Sequence, residues 1–333
     1  GVMEFGMSNR GEHAAIETFV GQSVDSELSG NMIDICPVGA LTSKPFRYSA
    51  RTWELSRRKS VSPHDSTGAN LIVQVKNNKV MRVVPLENEA VNECWIADRD
   101  RFSYEALNSD ERLTTPMIKQ GGVWASVDWK TALEYVAHGV ECIKSANGDA
   151  SIGALVSPHS TLEELYLTGA LVRGLGSENI DYRLRNAEFA PAQSGARWLG
   201  MSVAALSSLQ RVLVVGSNLR KDHPLFAQRV RQAVRVGCEV NVVGSGAVNW
   251  AMPVRNTVTA PAAEWIQALA DIAAAIGVAK DVAAPQAGNA TEAAKKIAQS
   301  LMGGERKAVL LGNAAAHHAQ ASQLLVLANW IAE

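Results

Sequence analysis

The chain has 333 residues, 47% of them hydrophobic, and a formal net charge of −1. That length supports two or three domains with sizeable cores, while the near-neutral charge gives none of the basic footprint a nucleic-acid-binding protein needs. No run of about 20 apolar residues is present to span a membrane, and four scattered cysteines fit a reducing compartment better than a disulfide framework.

Residues 1–45 read as the remainder of a domain. Gly1 is no initiator, Met3 sits in what reads as the middle of a domain, and the last helix stops at Glu333 without a cap, so the chain is expected to be a fragment. Glu12 to Val20 has the composition of a short helix, and the polar run to Asn31 that of a loop. The stretch from Gly30 to Thr42, GNMIDICPVGALT, holds the one candidate for chemistry. Pro37 fixes φ after Cys36 and Gly39 can take a positive φ, so the chain can fold around the sulfur and turn backbone N–H groups toward it. A Cys-Pro pair also ends the ferredoxin-type cluster motif, whose clusters take four thiolates. One thiolate is not four. Cys94, Cys142 and Cys238 lie far along the chain, and on its own residues Cys36 reads as a packed, inert cysteine.

The run from Gly1 to Leu55, with ICPVGALT inside it, resembles the large iron–sulfur subunit (75 kDa type) of bacterial NADH:quinone oxidoreductase, respiratory complex I. The resemblance implies that Cys36 is the fourth ligand of a [4Fe–4S] cluster whose other three ligands lie in a C-x2-C-x2-C segment just before Gly1. Further clusters are expected upstream in the full-length protein. The resemblance is specific to about Asn108 and looser from there to Glu333.

Residues 46–106 read as a small β-rich domain. Arg47, Arg51, Arg57, Arg58 and Lys59 form a basic stretch: a solvated linker face, a group of cations that raises a nearby cluster's potential, or a docking surface for a neighbouring subunit. Leu71–Val75 and Lys79–Val84 flank Asn77-Asn78, a pair suited to a two-residue hairpin turn. In the resembling family this unit is a [4Fe–4S] domain of the molybdenum/tungsten type. The positions matching its four cysteines are Ser62, Asp65, Ala69 and Ala97, so the extra cluster is expected to be absent. Trp95 and Phe102 are expected in the core, and Asp98-Arg-Asp-Arg101 as a salt-bridged turn.

Residues 107–333 alternate strands and helices and resemble an incomplete molybdopterin oxidoreductase domain. Trp129, Leu133, Val136 and Val140 fall at helical spacing, which implies a core face. Ile152–Val156 reads as a buried strand and Ser160–Glu163 as a capping box, on a helix that Gly176 ends. Arg211–Val215 leads through Gly216 to a helix at Pro224–Val236; strands at Cys238–Val243 and Lys307–Leu311 and helices near Ala262–Ile276 and Thr291–Met302 complete a parallel α/β sheet. Gly216-Ser217-Asn218 occupies the place where such folds bind nucleotides, yet lacks G-x-G-x-x-G and a following acidic residue. His317 and His318 are read as pointing to opposite sides of a helix, and Cys142 and Cys238 as packing residues. No hydrolytic motif is present.

The expected fold is therefore α/β: the end of a ferredoxin-like domain, a β-rich domain without its cluster ligands, then a molybdopterin-oxidoreductase-like domain. The expected role is electron relay from NADH and flavin toward quinone, coupled to proton translocation, within the peripheral arm of complex I at the cytoplasmic face of the bacterial inner membrane. That role implies other peripheral-arm subunits as partners, no nucleic acid, no direct membrane span and no molybdopterin, with the fragment alone inactive. Two other readings stay open: a molybdopterin-dependent oxidoreductase of the formate dehydrogenase type, which stoichiometric molybdenum or tungsten would support, and a non-catalytic assembly scaffold.

Overall fold

The computed structural model describes residues 2–18, 22–157, 160–182 and 198–333. The chain divides into two compact units, residues 1–105 with 187–333, and residues 106–186.

The first unit begins with an antiparallel hairpin, β1 (Phe5–Ser8) against β2 (Ala15–Thr18). This replaces the helix expected over Glu12–Val20, whose last two residues lie outside the described ones. Positive φ at Asn9 and Gly11 turns the chain back, and strand pairing overrides a local sequence that helices tolerate. A short helix, α1 (Asn31–Ile35), precedes Cys36. The β-rich part is a three-stranded antiparallel sheet in the order β3 (Ser56–Val61), β4 (Asn70–Lys76), β5 (Lys79–Pro85). Asn77 and Asn78 both take positive φ in the hairpin turn, as their chemistry favours. The end of the stretch read as a basic linker is thus an exposed edge strand carrying Arg57, Arg58 and Lys59. Helix α2 (Asp98–Phe102) crosses this sheet. Its core is Leu71, Val83, Ile96 and Tyr104; Trp95 and Phe102, expected there, are only half-buried because each lies beside an inward-facing position.

The second unit holds the hairpin β6 (Met117–Gln120)–β7 (Val123–Ser126), helix α3 (Trp129–Asn147), and α4 (Leu162–Gly174) between the two-residue parallel strands β8 (Ala154–Leu155) and β9 (Ile180–Asp181). Asp128 caps α3 by accepting from the Thr131 N–H at 3.2 Å. The capping box of α4 is Thr161 with Glu164, one residue later than expected. Trp129, Leu133 and Val136 do share a helix face, but they are exposed, as is Leu155 of the strand read as buried. Spacing identified the stripe; among the described residues of this unit no second layer covers it.

The chain then returns to the first unit. Strand β10 (Arg211–Val215) is followed by α5 (Leu219–Asp222), α6 (Pro224–Arg235), β11 (Glu239–Gly244), β12 (Asn256–Thr259), α7 (Trp265–Lys280), α8 (Glu292–Met302), β13 (Lys307–Leu311), α9 (Asn313–Ala316) and α10 (Ala321–Ala332). The four strands form an all-parallel sheet in the order β12-β11-β10-β13. β12 is an edge strand that the sequence pattern did not reveal. Alternation along β10 sorts its side chains: Leu213 and Val215 join α7, α8 and α10 on one face, Val212 and Val214 join α6 on the other. A strand buried on both faces reads as a continuous apolar run, and each buried Val or Leu contributes about 1.5–3 kcal/mol relative to exposure. Residues 262–280 form one helix long and apolar enough, by length and composition, to cross a membrane. In this fold Trp265, Leu269, Ile272 and Ile276 bury it in the core.

Ion pairs join the two parts of this unit. Arg220, almost fully buried, pairs with Glu27 at 2.9 Å and donates to the Asp25 carbonyl at 2.9 Å. Arg229 donates to the carbonyls of Glu89 at 2.7 Å and Val91 at 3.0 Å, and pairs with Glu93 at 3.4 Å.

Candidate cluster-ligand site

Cys36 caps the C-terminus of α1, its own N–H donating to the Met32 carbonyl at 3.1 Å. Beyond it Pro37 stops the helix and Gly39 adopts φ +65°, a conformation open to glycine at little cost. Backbone amides beyond the sulfur, that of Leu41 first and then Val38, Ala40 and Gly39, favour the thiolate and hold the Cys36 thiol below its ordinary value against the rise that desolvation causes. A metal ligand must be the thiolate, and amide donors around sulfur are a lever by which proteins tune iron–sulfur centres. The site therefore fits one corner of a [4Fe–4S] cluster. Among the described residues no three His, Cys, Asp or Glu side chains converge to hold a metal. The other thiols are of different character: Cys94 is exposed at the surface, Cys142 is exposed rather than core-facing and lies beside His138, and Cys238 is buried with its thiol pushed up to about 11 by burial.

Ser62, Asp65, Ala69 and Ala97, expected from the resemblance to stand at cluster-cysteine positions, are engaged in other contacts. Ala69 and Ala97 are buried. Ser62 donates to Asp100 Oδ1 at 2.5 Å and Asp65 pairs with Arg99 at 2.6 Å. Arg99 also donates to the carbonyl of Asp222 at 2.7 Å, so a guanidinium bridges the β-rich part to α5. The segment expected as a salt-bridged turn is helix α2, and it reaches outward: Asp98 accepts from Ser29 and from the Gly30 N–H, and Arg101 pairs with Asp34. No sequence signal marked these partners.

At the carboxyl ends of the strands, the order of connections reverses between β10 and β13, the place where α/β sheets open a crevice. Here the loops that follow β10 and β13 approach each other closely. A Cβ on Gly312 would stand 2.1 Å from Ser217 Cβ and 2.7 Å from the Gly216 carbonyl, and one on Gly216 would meet the Trp265 ring at 2.6 Å. Ser217 is turned to Asp222 Oδ2 at 2.7 Å. His317 and His318 follow α9 rather than lie within a helix; His318 is engaged with the Ala262 carbonyl at 3.1 Å and the Trp265 ring.

Comparison with known proteins agrees with this architecture. Residues 112–332 match the molybdopterin oxidoreductase family model, residues 1–42 that of the NADH-quinone oxidoreductase subunit 3 ferredoxin-like domain, and residues 55–105 that of the NADH-ubiquinone oxidoreductase NDSU1/NuoG-like 4Fe-4S domain. The chain belongs to the molybdopterin oxidoreductase family. Within it, the chain resembles the iron–sulfur subunit of NADH:quinone oxidoreductase: it is 37% identical over 247 residues to an NADH-quinone oxidoreductase subunit of Rickettsia felis, covering 74% of this chain and 36% of that protein. It is also 37% identical over 250 residues to the mitochondrial NADH-ubiquinone oxidoreductase 78 kDa subunit of Candida albicans, covering 73% and 34%. The chain thus spans about a third of the length of these relatives. Acetylene hydratase from Pelobacter acetylenicus shares the fold, with a TM-score of 0.57 at 12% identity over 83% of this chain and 44% of that one.

Proposed function

We propose that this chain is part of an electron-relay subunit of NADH:quinone oxidoreductase, in which Cys36 is one of four thiolate ligands of a [4Fe–4S] cluster and the other three belong to residues preceding Gly1 in the longer protein. When bound, the cluster supplies one-electron transfer from centres fed by NADH and flavin toward quinone. The chain's own residues do the rest. The Leu41, Val38, Ala40 and Gly39 amides lower the Cys36 thiol from its ordinary value, which favours the ligating thiolate, and Pro37 and Gly39 shape the loop that carries them. No general acid or base is needed for relay, and proton translocation belongs to the assembled complex. The protein sits with other peripheral-arm subunits at the cytoplasmic face of the bacterial inner membrane, without a span of its own. The single observation that carries this reading is the Cys36-Pro37-Val38-Gly39 loop, with Gly39 at φ +65°, lying inside the stretch that matches the ferredoxin-like family model.

The α/β domain serves as a scaffold without molybdopterin. The contact of Gly312 with Ser217 and of Gly216 with Trp265 supports this, because phosphate groups need an open strand-end crevice with free backbone donors. Iron and acid-labile sulfide counted in the full-length complex carrying Cys36→Ala test the proposal. Loss of one cluster's iron is expected; unchanged iron overturns it. Molybdenum bound in stoichiometric amount would favour the alternative reading.

A further inference from the structure

Residues 55–105 match an iron–sulfur domain, yet their own ligand positions are filled with alanine, serine and aspartate. We infer that this domain acts as a clamp that positions the Cys36 loop, with Asn31, Asp98 and Arg101 as the positioning residues; the inference rests on Cys36 being a cluster ligand.

The clamp starts in the core. Ile96 is fully buried among Leu71, Val83 and Tyr104, so its backbone is fixed. Onto that backbone the Asn31 side chain, 3% exposed, docks as a peptide group would: Nδ2 donates to the Ile96 carbonyl at 2.8 Å, and Oδ1 accepts from the Ile96 N–H at 3.2 Å. Nδ2 also donates to the Leu28 carbonyl at 2.9 Å, and Oδ1 accepts from Arg101 Nη2 at 3.2 Å, so the buried amide is fully used. Arg101, itself buried, extends the same guanidinium to Asp34, three residues further along α1. Asp98 holds the preceding turn, accepting from the Gly30 N–H at 2.7 Å and from the Ser29 hydroxyl, while its own N–H donates to the Glu27 carbonyl at 2.8 Å. A side chain at Gly30 is excluded, since its Cβ would lie 2.7 Å from Arg101 Cδ.

Apart from the Asn31–Leu28 bond, these contacts join residues 27–34, immediately before Cys36, to residues 96–101. The helix α1 is five residues, about 7.5 Å long. Too short to be stable alone, it takes its position from the clamp and delivers Cys36 at its C-terminal end. Rearranging a buried polar network leaves its groups without partners, which favours one arrangement.

The test has two parts that fail separately. On the 333-residue chain, Asn31→Ala is expected to raise amide hydrogen exchange over Met32–Cys36, whose Met32, Ile33 and Cys36 N–H groups are hydrogen-bonded in the folded chain, about tenfold, as loss of a net hydrogen bond predicts. Asp98→Asn, which keeps the side-chain shape, is expected to do the same to a smaller degree, and Asp98→Glu to restore part of the protection. Unchanged exchange in Asn31→Ala and Asp98→Asn overturns the clamp, whatever Cys36 binds. In the full-length complex, the same variants are expected to retain iron while shifting the EPR line shape and midpoint potential of one cluster; signals superimposable on wild type also overturn it. Raised exchange together with cluster signals indifferent to Cys36→Ala would instead refute the ligand assignment.

Discussion

Gly312→Ala is a direct probe of whether the strand-end crevice is closed. Gly312 has φ −84° and ψ −177°, which any residue adopts, so the substitution carries no backbone strain of its own. Its effect is steric: the new methyl would lie 2.1 Å from Ser217 Cβ, 2.8 Å from Ser217 Cα and 2.7 Å from the Gly216 carbonyl oxygen. Those are backbone-borne atoms that cannot rotate away, and behind them Gly216 rests on Trp265. Overpacking a filled core costs about 1–3 kcal/mol, and a contact with backbone on both sides belongs at the upper end, about 3 kcal/mol. For a cooperative unit of about 250 residues that lowers the melting temperature by about 6–12 °C. Thermal unfolding followed by near-UV circular dichroism reads the change. An unchanged midpoint would refute the reasoning, for it would mean that the β10 and β13 loops stand apart and leave room for a ligand.

Three further outcomes are expected. Arg229→Leu removes a buried guanidinium from the Glu89 and Val91 carbonyls and leaves Glu93 without its ion-pair partner, with the neutral donors Gln232 and Trp95 remaining; a loss of about 3 kcal/mol in denaturant unfolding is expected, against no loss if the tie is cosmetic. Burial raises the Asp100 carboxyl above its ordinary value despite the Ser62 hydroxyl. The folded state therefore binds that proton more tightly than the unfolded one, and wild-type stability falls as pH rises from about 3.9, the ordinary aspartate value, through the raised folded value. Asp100→Asn should consequently melt higher than wild type at pH 7, with the gain shrinking toward pH 4; equal melting at pH 7 contradicts this. Finally, Cys36, with its lowered thiol, should alkylate with iodoacetamide at pH 7.5 before Cys94, whose thiol burial raises, and long before Cys238. Mass spectrometry of the tryptic peptides gives the order.

The parts of this fold written in local sequence were legible there. Asn77-Asn78 marked a turn by its own backbone preference, the run Arg211–Val215 marked a two-faced strand by its continuous apolarity, and Pro224 and Gly237 bracketed a helix. The Cys36 loop was legible for the same reason, since Pro37 and Gly39 act on their immediate neighbours. What failed depended on distant partners. Residues 15–18 became a strand because Phe5–Ser8 pairs with them. The α3 stripe was correctly spaced, but spacing does not say what covers a helix face. The alternating charges of Asp98–Arg101 looked self-contained, whereas all four reach back to residues 29–65. Asn31 gave no signal at all, because its worth lies in the Ile96 backbone 65 residues away.

The central claim is that the Cys36 sulfur is a cluster ligand. Replacing it with serine in the full-length complex keeps a smaller, harder ligating atom at the end of α1. EPR of the reduced complex should then show one [4Fe–4S] signal lost or shifted, with the remaining signals unchanged. A spectrum identical to wild type in every signal would contradict the claim.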